Sequence, residues 1–225
     1  LLGLRRGEMD FSAPVKKYFA TKVDSQLLNE INWKIIANGI TDINSHQFQF
    51  VLQHRKEYEK IASPARVQRK LLFITGDLLL PMVNAKDTVK YFRNRLSAAA
   101  MNDYKVDSLL FNMDKMIYEN TQNWNGYKTV TLKTARTYSW NDYHELFEMA
   151  DNFYKHIEDA TALAEAAQWA KHSAEITPQY STYILAAKLF QKSGDKTSAM
   201  QMAQQAKDLA AKMERSTEEA SEFLK

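Results

Sequence analysis

The chain has 225 residues, enough at roughly 100–200 residues per domain for one large core or two small ones, and it contains no cysteine, which excludes disulfide staples, thiolate zinc sites, iron–sulfur ligation and thiol catalysis by this chain alone. With 45% hydrophobic and 25% charged residues it has the composition of a globular protein, and six Gly with four Pro are too few for a many-stranded fold, so long helices are expected. The net charge of +3 hides a split: residues 1–140 hold 21 Lys/Arg and 13 Asp/Glu, residues 141–225 hold 9 and 14, and the basic residues are scattered, so no nucleic-acid partner is expected.

The start, Leu1-Leu2-Gly3-Leu4-Arg5-Arg6, has neither an initiator Met nor the charged, apolar and cleavage-site order of a signal peptide, and reads as a fragment or a processed form. Ser12-Ala13-Pro14 then signals a first helix with Val15, Tyr18, Phe19 and Val23 at helical spacing. A second spans about Leu27 to Ala37, with Leu27, Leu28, Ile31, Ile35 and Ile36 as a wide apolar stripe beside Trp33; Asn38-Gly39 should end it through glycine's tolerance of positive φ. Asn44-Ser45 opens a helix carrying Phe48, Val51, Leu52 and Tyr58, and Ser63-Pro64 opens the next, which Pro81 should stop or kink. The apolar run Leu71 to Val83 is interrupted by Asp77 and is shorter than the roughly 20 residues needed to cross a bilayer, so no membrane span is expected.

Asn84-Ala85-Lys86-Asp87 has capping-box spacing and leads into Val89, Phe92 and Leu96. From about Asp103 another helix gathers Val106, Leu109, Leu110, Met113 and Ile117 on one face. Thr129-Val130-Thr131-Leu132 alternates like a strand, but a lone strand has nothing to pair with, and Ala135 and Tyr138 continue a helical spacing; helix is the reading.

Residues 141–213 hold two helical pairs of matching pattern. In the second, Tyr183, Ala187 and Phe190 precede a Gly194-Asp195 turn and then Ala199, Ala203 and Ala206; in the first, Leu146, Ala150 and Phe153 precede Ala166, Ala170 and Ser173, and Pro178 ends the unit. Large, small, large spacing lets a neighbouring helix approach closely. The pattern resembles the tetratricopeptide repeat. Phe153 stands 13 residues before Ala166 where Phe190 stands 9 before Ala199, which predicts a first helix or turn about one helical turn longer in the first pair. Ser216-Thr217-Glu218-Glu219 starts a short capping helix. The fold class expected is therefore all-α, an array of antiparallel helical pairs (a tetratricopeptide-like superhelix) of about 10–12 helices, with residues 1–140 as its N-terminal part and 141–225 as the repeats and cap, one continuous domain.

A wider resemblance runs from about residue 27 to 213. Asn32-Trp33, Thr41-Asp42-Ile43-Asn44-Ser45, Phe48-Gln49-Phe50-Val51-Leu52 and His54-Arg55, then Asn123-Trp124-Asn125-Gly126-Tyr127, then Ala166 to Ser173, Pro178-Gln179-Tyr180 and Leu189 to Asp195, resemble the helical region that follows the redox domain in Bacteroidetes thioredoxin-fold (thiol:disulfide interchange-like) proteins. The resemblance implies an extracytoplasmic, periplasmic setting and a Cys-x-x-Cys domain alongside. Since this chain has no cysteine, that redox activity transfers to none of its residues, and the expected role is a non-catalytic interaction or scaffold region without a cofactor. The alternative is an independent tetratricopeptide-like adaptor.

For binding, residues one beyond the large-small-large positions should point into the concave groove: Phe147, Asp151 and Tyr154 in the first unit, Ile184, Lys188 and Gln191 in the second. Such a mixture suits a protein or extended peptide, including a thioredoxin-fold domain; the competing reading is that Phe147, Tyr154 and Ile184 pack against preceding helices. His144 and Glu148 have a metal-compatible spacing without an evident third ligand, so they read as a solvated face; His46 and His54, eight apart, have the spacing to share a face, with a structural or exposed role expected. The groups Arg66, Arg69, Lys70 and Lys86, Lys90, Arg93, Arg95 read as polar faces of amphipathic helices.

Overall fold

A computed structural model describes residues 12–214 and 216–224, so the segment of residues 1–6 discussed above lies outside them. The described residues form fourteen helices and no strand. They divide into two compact units, residues 1–120 and 121–225.

In the N-terminal unit α1 (Ser12–Phe19), α2 (Asp24–Leu27), α3 (Glu30–Gly39), α4 (His46–Gln53), α5 (Arg55–Ile61), α6 (Pro64–Asn84), α7 (Thr88–Ala99) and α8 (Tyr104–Asn120) follow one another. The 21-residue α6 is the hub, packing on α5, α7 and α8. Ser45 and Ser63 cap α4 and α6 by accepting from the N–H groups of Phe48 and Arg66, as their sequence positions imply. The core joins Leu27, Trp33, Ile36, Phe48, Tyr58, Leu71, Ile74, Val106 and Ile117.

Several expectations are corrected here. The second helix is broken at Leu28-Asn29, because the Asn29 side chain accepts from Asn32 N–H and starts α3 afresh, leaving Ile31 exposed; Val23 is likewise exposed, outside α1. Gly39 belongs to α3, which ends at an extended Ile40, so positive φ is not its purpose. A Cβ there would fall 2.7 Å from Val15 Cγ2, so the glycine lets α1 approach. Helix α6 continues through Pro81 to Asn84, its last turn held by the fully buried Leu79 and Val83. Asp87, not Asn84, caps the following helix, accepting from Lys90 N–H at 3.0 Å. On α7, Val89 and Leu96 are 68% and 69% exposed. The buried face carries Tyr91 and Ala98 instead, because Asp114 on α8 draws Tyr91 and Arg95 inward.

The C-terminal unit comprises α9 (Trp124–Tyr138), α10 (Tyr143–His156), α11 (Ala160–Ile176), α12 (Tyr180–Ser193), α13 (Lys196–Lys212) and α14 (Glu218–Glu222). The Thr-rich stretch is helical: the hydroxyls of Thr129, Thr131 and Thr134 donate to the carbonyls four residues back, an internal outlet that suits threonine to a helix. Consecutive helices pack on each other, and α10 also packs on α12. The pairs are of equal size, since α10 and α12 have 14 residues each and α11 and α13 have 17. The first pair therefore has no longer first helix. Its turn, Ile157–Asp159, has only one residue more than Gly194-Asp195, and by helix position Leu163, Ala167 and Ala170 stand where Ala199, Ala203 and Ala206 stand. Gly194 takes the left-handed conformation, φ 95°, that turns the chain between α12 and α13.

Candidate functional site

The six residues expected to line a groove lie on α10 and α12. Asp151 pairs along its own helix with Lys155. Phe147 is half-buried and Gln191 is exposed. Ile184 is buried together with Ala206 beneath Ala220 of α14, flanked by Tyr180 and Tyr183. Tyr154 and Lys188 are brought together: the Lys188 ammonium stands 6.0 Å from the Tyr154 ring and that of Lys192 5.7 Å from it. Lys188 also bonds Glu219 of α14 at 2.7 Å, and this hydrogen bond raises the lysine's pKa above its usual value. Lys192 donates to the Tyr154 and Ile157 carbonyls at 3.1 and 3.0 Å, and to Glu158 at 2.9 Å, covering the C-terminal carbonyls of α10. The result is an aromatic ring flanked by two ammonium groups, each with its own carboxylate.

Two further features of this unit escaped sequence reasoning. His156 stacks on Trp124 with centroids 3.7 Å apart, and His172 stacks on Trp140 at 4.2 Å, where the Arg136 guanidinium also lies 4.6 Å from the indole. Trp124 starts α9 and Trp140 follows it, while His156 ends α10 and His172 lies four residues before the end of α11, a non-local pairing that no spacing rule along the chain announces. His144 comes within 3.6 Å of Glu148, and no cluster of three metal-ligating side chains exists among the described residues. In the N-terminal unit His46 bonds Asp24 at 2.6 Å, and the rings of His46 and His54 stand 6.5 and 4.2 Å from Phe50, so the two histidines do share a face.

Two of the basic residues read as polar helix faces behave differently. Arg95 forms a bidentate pair with the buried Asp114, both bonds 2.7 Å, and Asp114 also accepts the Tyr91 hydroxyl at 2.7 Å. Burial, then the Asp114 charge, pushes the Tyr91 phenol strongly up. Lys70 is only 7% exposed. It lies on the floor of a cleft of about 520 Å³ between α3 and α6, rimmed by Lys34, Arg66, Arg69 and Phe73. Its ammonium donates to the Ile40 carbonyl, and burial lowers its pKa to about 8. The signal was present in the sequence: Lys70 sits between Val67, Leu71 and Ile74, on the apolar side of α6.

A second, half-buried network joins α5, α6 and the start of α8. Arg55 bonds Glu59, Asp103 and Gln68 at 2.8, 2.7 and 3.0 Å, while Gln68 bonds Asp103 at 2.8 Å. Burial opposes ionisation of Asp103, but the bonds from Arg55, Val106 N–H and Gln68 together hold its pKa below the usual carboxylate range.

The chain is thus an all-helical protein with a charged aromatic surface on its C-terminal pairs and a basic cleft in its N-terminal unit. Comparison with protein-family models, with curated proteins and with solved structures returned no match. Among the described residues no helix is long and apolar enough to cross a membrane.

Proposed function

We propose that this chain is a non-catalytic helical interaction or scaffold region that accompanies an extracytoplasmic, periplasmic thioredoxin-fold redox module. The observation that carries the interaction role is the assembly on α10, α12 and α14, where Tyr154, Lys188 and Glu219 form one polar and aromatic surface. The tetratricopeptide-like character rests on the matching lengths of the two helical pairs and on Gly194-Asp195 between the last two. The redox partner and the compartment rest on the resemblance of residues 27–213, and the absence of cysteine leaves thiol chemistry to the partner.

The test is to mix the full chain with a Cys-x-x-Cys thioredoxin-fold protein and to measure association and disulfide-exchange rates on protein substrates. Binding together with an altered substrate range is expected. Neither binding nor a changed rate would sink the reading.

A second reading, an independent adaptor for an extended peptide, is favoured by the Tyr154 ring held between two ammonium groups. Replacing Lys188 and Asp151 should then weaken capture of that peptide while helicity stays intact by circular dichroism. Unchanged capture would argue against it.

A further inference from the structure

The cleft between α3 and α6 has an unbalanced charge. Arg66, Arg69, Lys70 and Phe73 recur at helical spacing on the side of α6 that lines it, with Lys34 on α3 opposite. Lys34 is satisfied by Glu30 at 2.7 Å, a carboxylate whose charge also reaches Arg66 at longer range. Neither Arg66, Arg69 nor Lys70 has a carboxylate within ion-pair distance among the described residues; Asp77, the one acidic lining residue, acts on Lys70 only through its charge at longer range. A buried ammonium whose sole polar bond is to a carbonyl is costly to keep charged, and an anion in the cleft would supply the missing counter-charge. Beside these cations Phe73 is 61% exposed, an aromatic ring left in water at the mouth of a polar cleft.

We propose that this cleft binds a small organic phosphate, its phosphoryl oxygens held by Arg66, Arg69 and Lys70 and its carbon skeleton laid against Phe73. Guanidinium forks suit phosphate because two parallel N–H donors match two oxygens, and a dianion answers more than one of these cations without a carboxylate at ion-pair distance. The exposed phenyl ring gives the bound molecule a reason to carry an apolar part, since covering it removes apolar surface from water.

Proton uptake distinguishes this site from loose surface attraction. The groups facing Lys70 are Arg66, Arg69 and Asp77 on its own helix, Lys34 on α3 and the Ile40 carbonyl. With its pKa lowered by burial to about 8, Lys70 is only partly protonated in the empty protein at pH 8.5. A dianion bound beside it favours the ammonium, so binding at that pH draws a proton from the buffer.

The experiment is calorimetric titration of the full chain with phenyl phosphate and, separately, inorganic phosphate at pH 8.5, in two buffers of different protonation enthalpy. Saturable binding of one phenyl phosphate with proton uptake is expected, tighter than inorganic phosphate. Arg69→Gln, at an exposed position that leaves folding intact, should weaken it by about tenfold, as loss of a charge-assisted bond implies. Phe73→Ala should erase the preference over inorganic phosphate, and Lys70→Met should abolish the proton uptake. Absence of saturable binding, or affinity unmoved by Arg69→Gln, would overturn the proposal, as would equal affinity for the two phosphates.

Discussion

Gly39 of α3 faces Val15 of α1 without room for a side chain: a Cβ on Gly39 would lie 2.7 Å from Val15 Cγ2, inside van der Waals contact. Gly39→Ala gains helix propensity but pushes against a β-branched side chain that has few rotamers to yield. We expect a net loss of about 1 kcal/mol, the lower end for overpacking. A double-mutant cycle with Val15→Ala, read by urea unfolding, should show the two changes coupled, the double variant being more stable than the sum of the singles predicts. Simple additivity would refute the contact.

Two other glycines should respond in opposite ways. Gly76 lies inside α6 with nothing within 4 Å of a built Cβ, so Gly76→Ala should stabilise by about 0.5–1 kcal/mol. Gly194 has φ 95°, so Gly194→Ala should cost about 1 kcal/mol. Thermal unfolding of the two variants would show shifts of opposite sign.

Arg95→Ala removes both bonds that neutralise Asp114, a carboxylate 3% exposed, and leaves a buried charge with only the Tyr91 hydroxyl. The expected loss is about 3 kcal/mol. Lys34→Ala breaks a solvent-exposed pair with Glu30 and should leave stability nearly unchanged. Denaturant midpoints would separate the two, and equal effects would contradict the burial argument.

Stability should rise with pH and then fall. Burial lowers Lys70 from 10.5 to about 8, so between these values the unfolded chain binds more protons than the folded one, and folding gains roughly 3 kcal/mol across that window. Burial pushes the Tyr58 phenol from 10.0 up to about 12, so above pH 10 the unfolded chain loses that proton first and stability declines. Urea midpoints between pH 7 and 11.5 should pass through a maximum near pH 10. In Lys70→Met the rise between pH 8 and 10 should vanish.

Truncation before Ser216 removes α14, and with it the cover over Ile184 and Ala206 and the Glu219 partner of Lys188. Faster amide exchange in α12 and α13 is expected. Unchanged exchange there would mean that α14 adds nothing to the packing.

Local signals in the sequence held where a serine or threonine meets its own backbone, and failed where another residue took the cap, as Asp87 does in place of Asn84. Ser45 and Ser63 start helices because their side chains reach a backbone N–H three residues on, and the Thr131 segment is helical because its hydroxyl bonds one turn back. The groove residues were only partly legible: the spacing put Tyr154 and Lys188 on helices that become neighbours, but it could not foresee α14 closing over Ile184.

The sequence by itself determined that the chain is helical, that two consecutive helical pairs fall within residues 141–213, and that it carries no thiol of its own, since composition, capping and periodicity act within a turn or two of the residue concerned. Only the tertiary structure decided which face of α7 is inside, why Gly39 is a glycine, and that Lys70 lies on the floor of a cleft. Each of these depends on a partner far along the chain: Asp114 for Arg95, Val15 for Gly39, Ile40 for Lys70. A buried polar group takes its position from the partner that satisfies it, and helical periodicity carries no record of that partner.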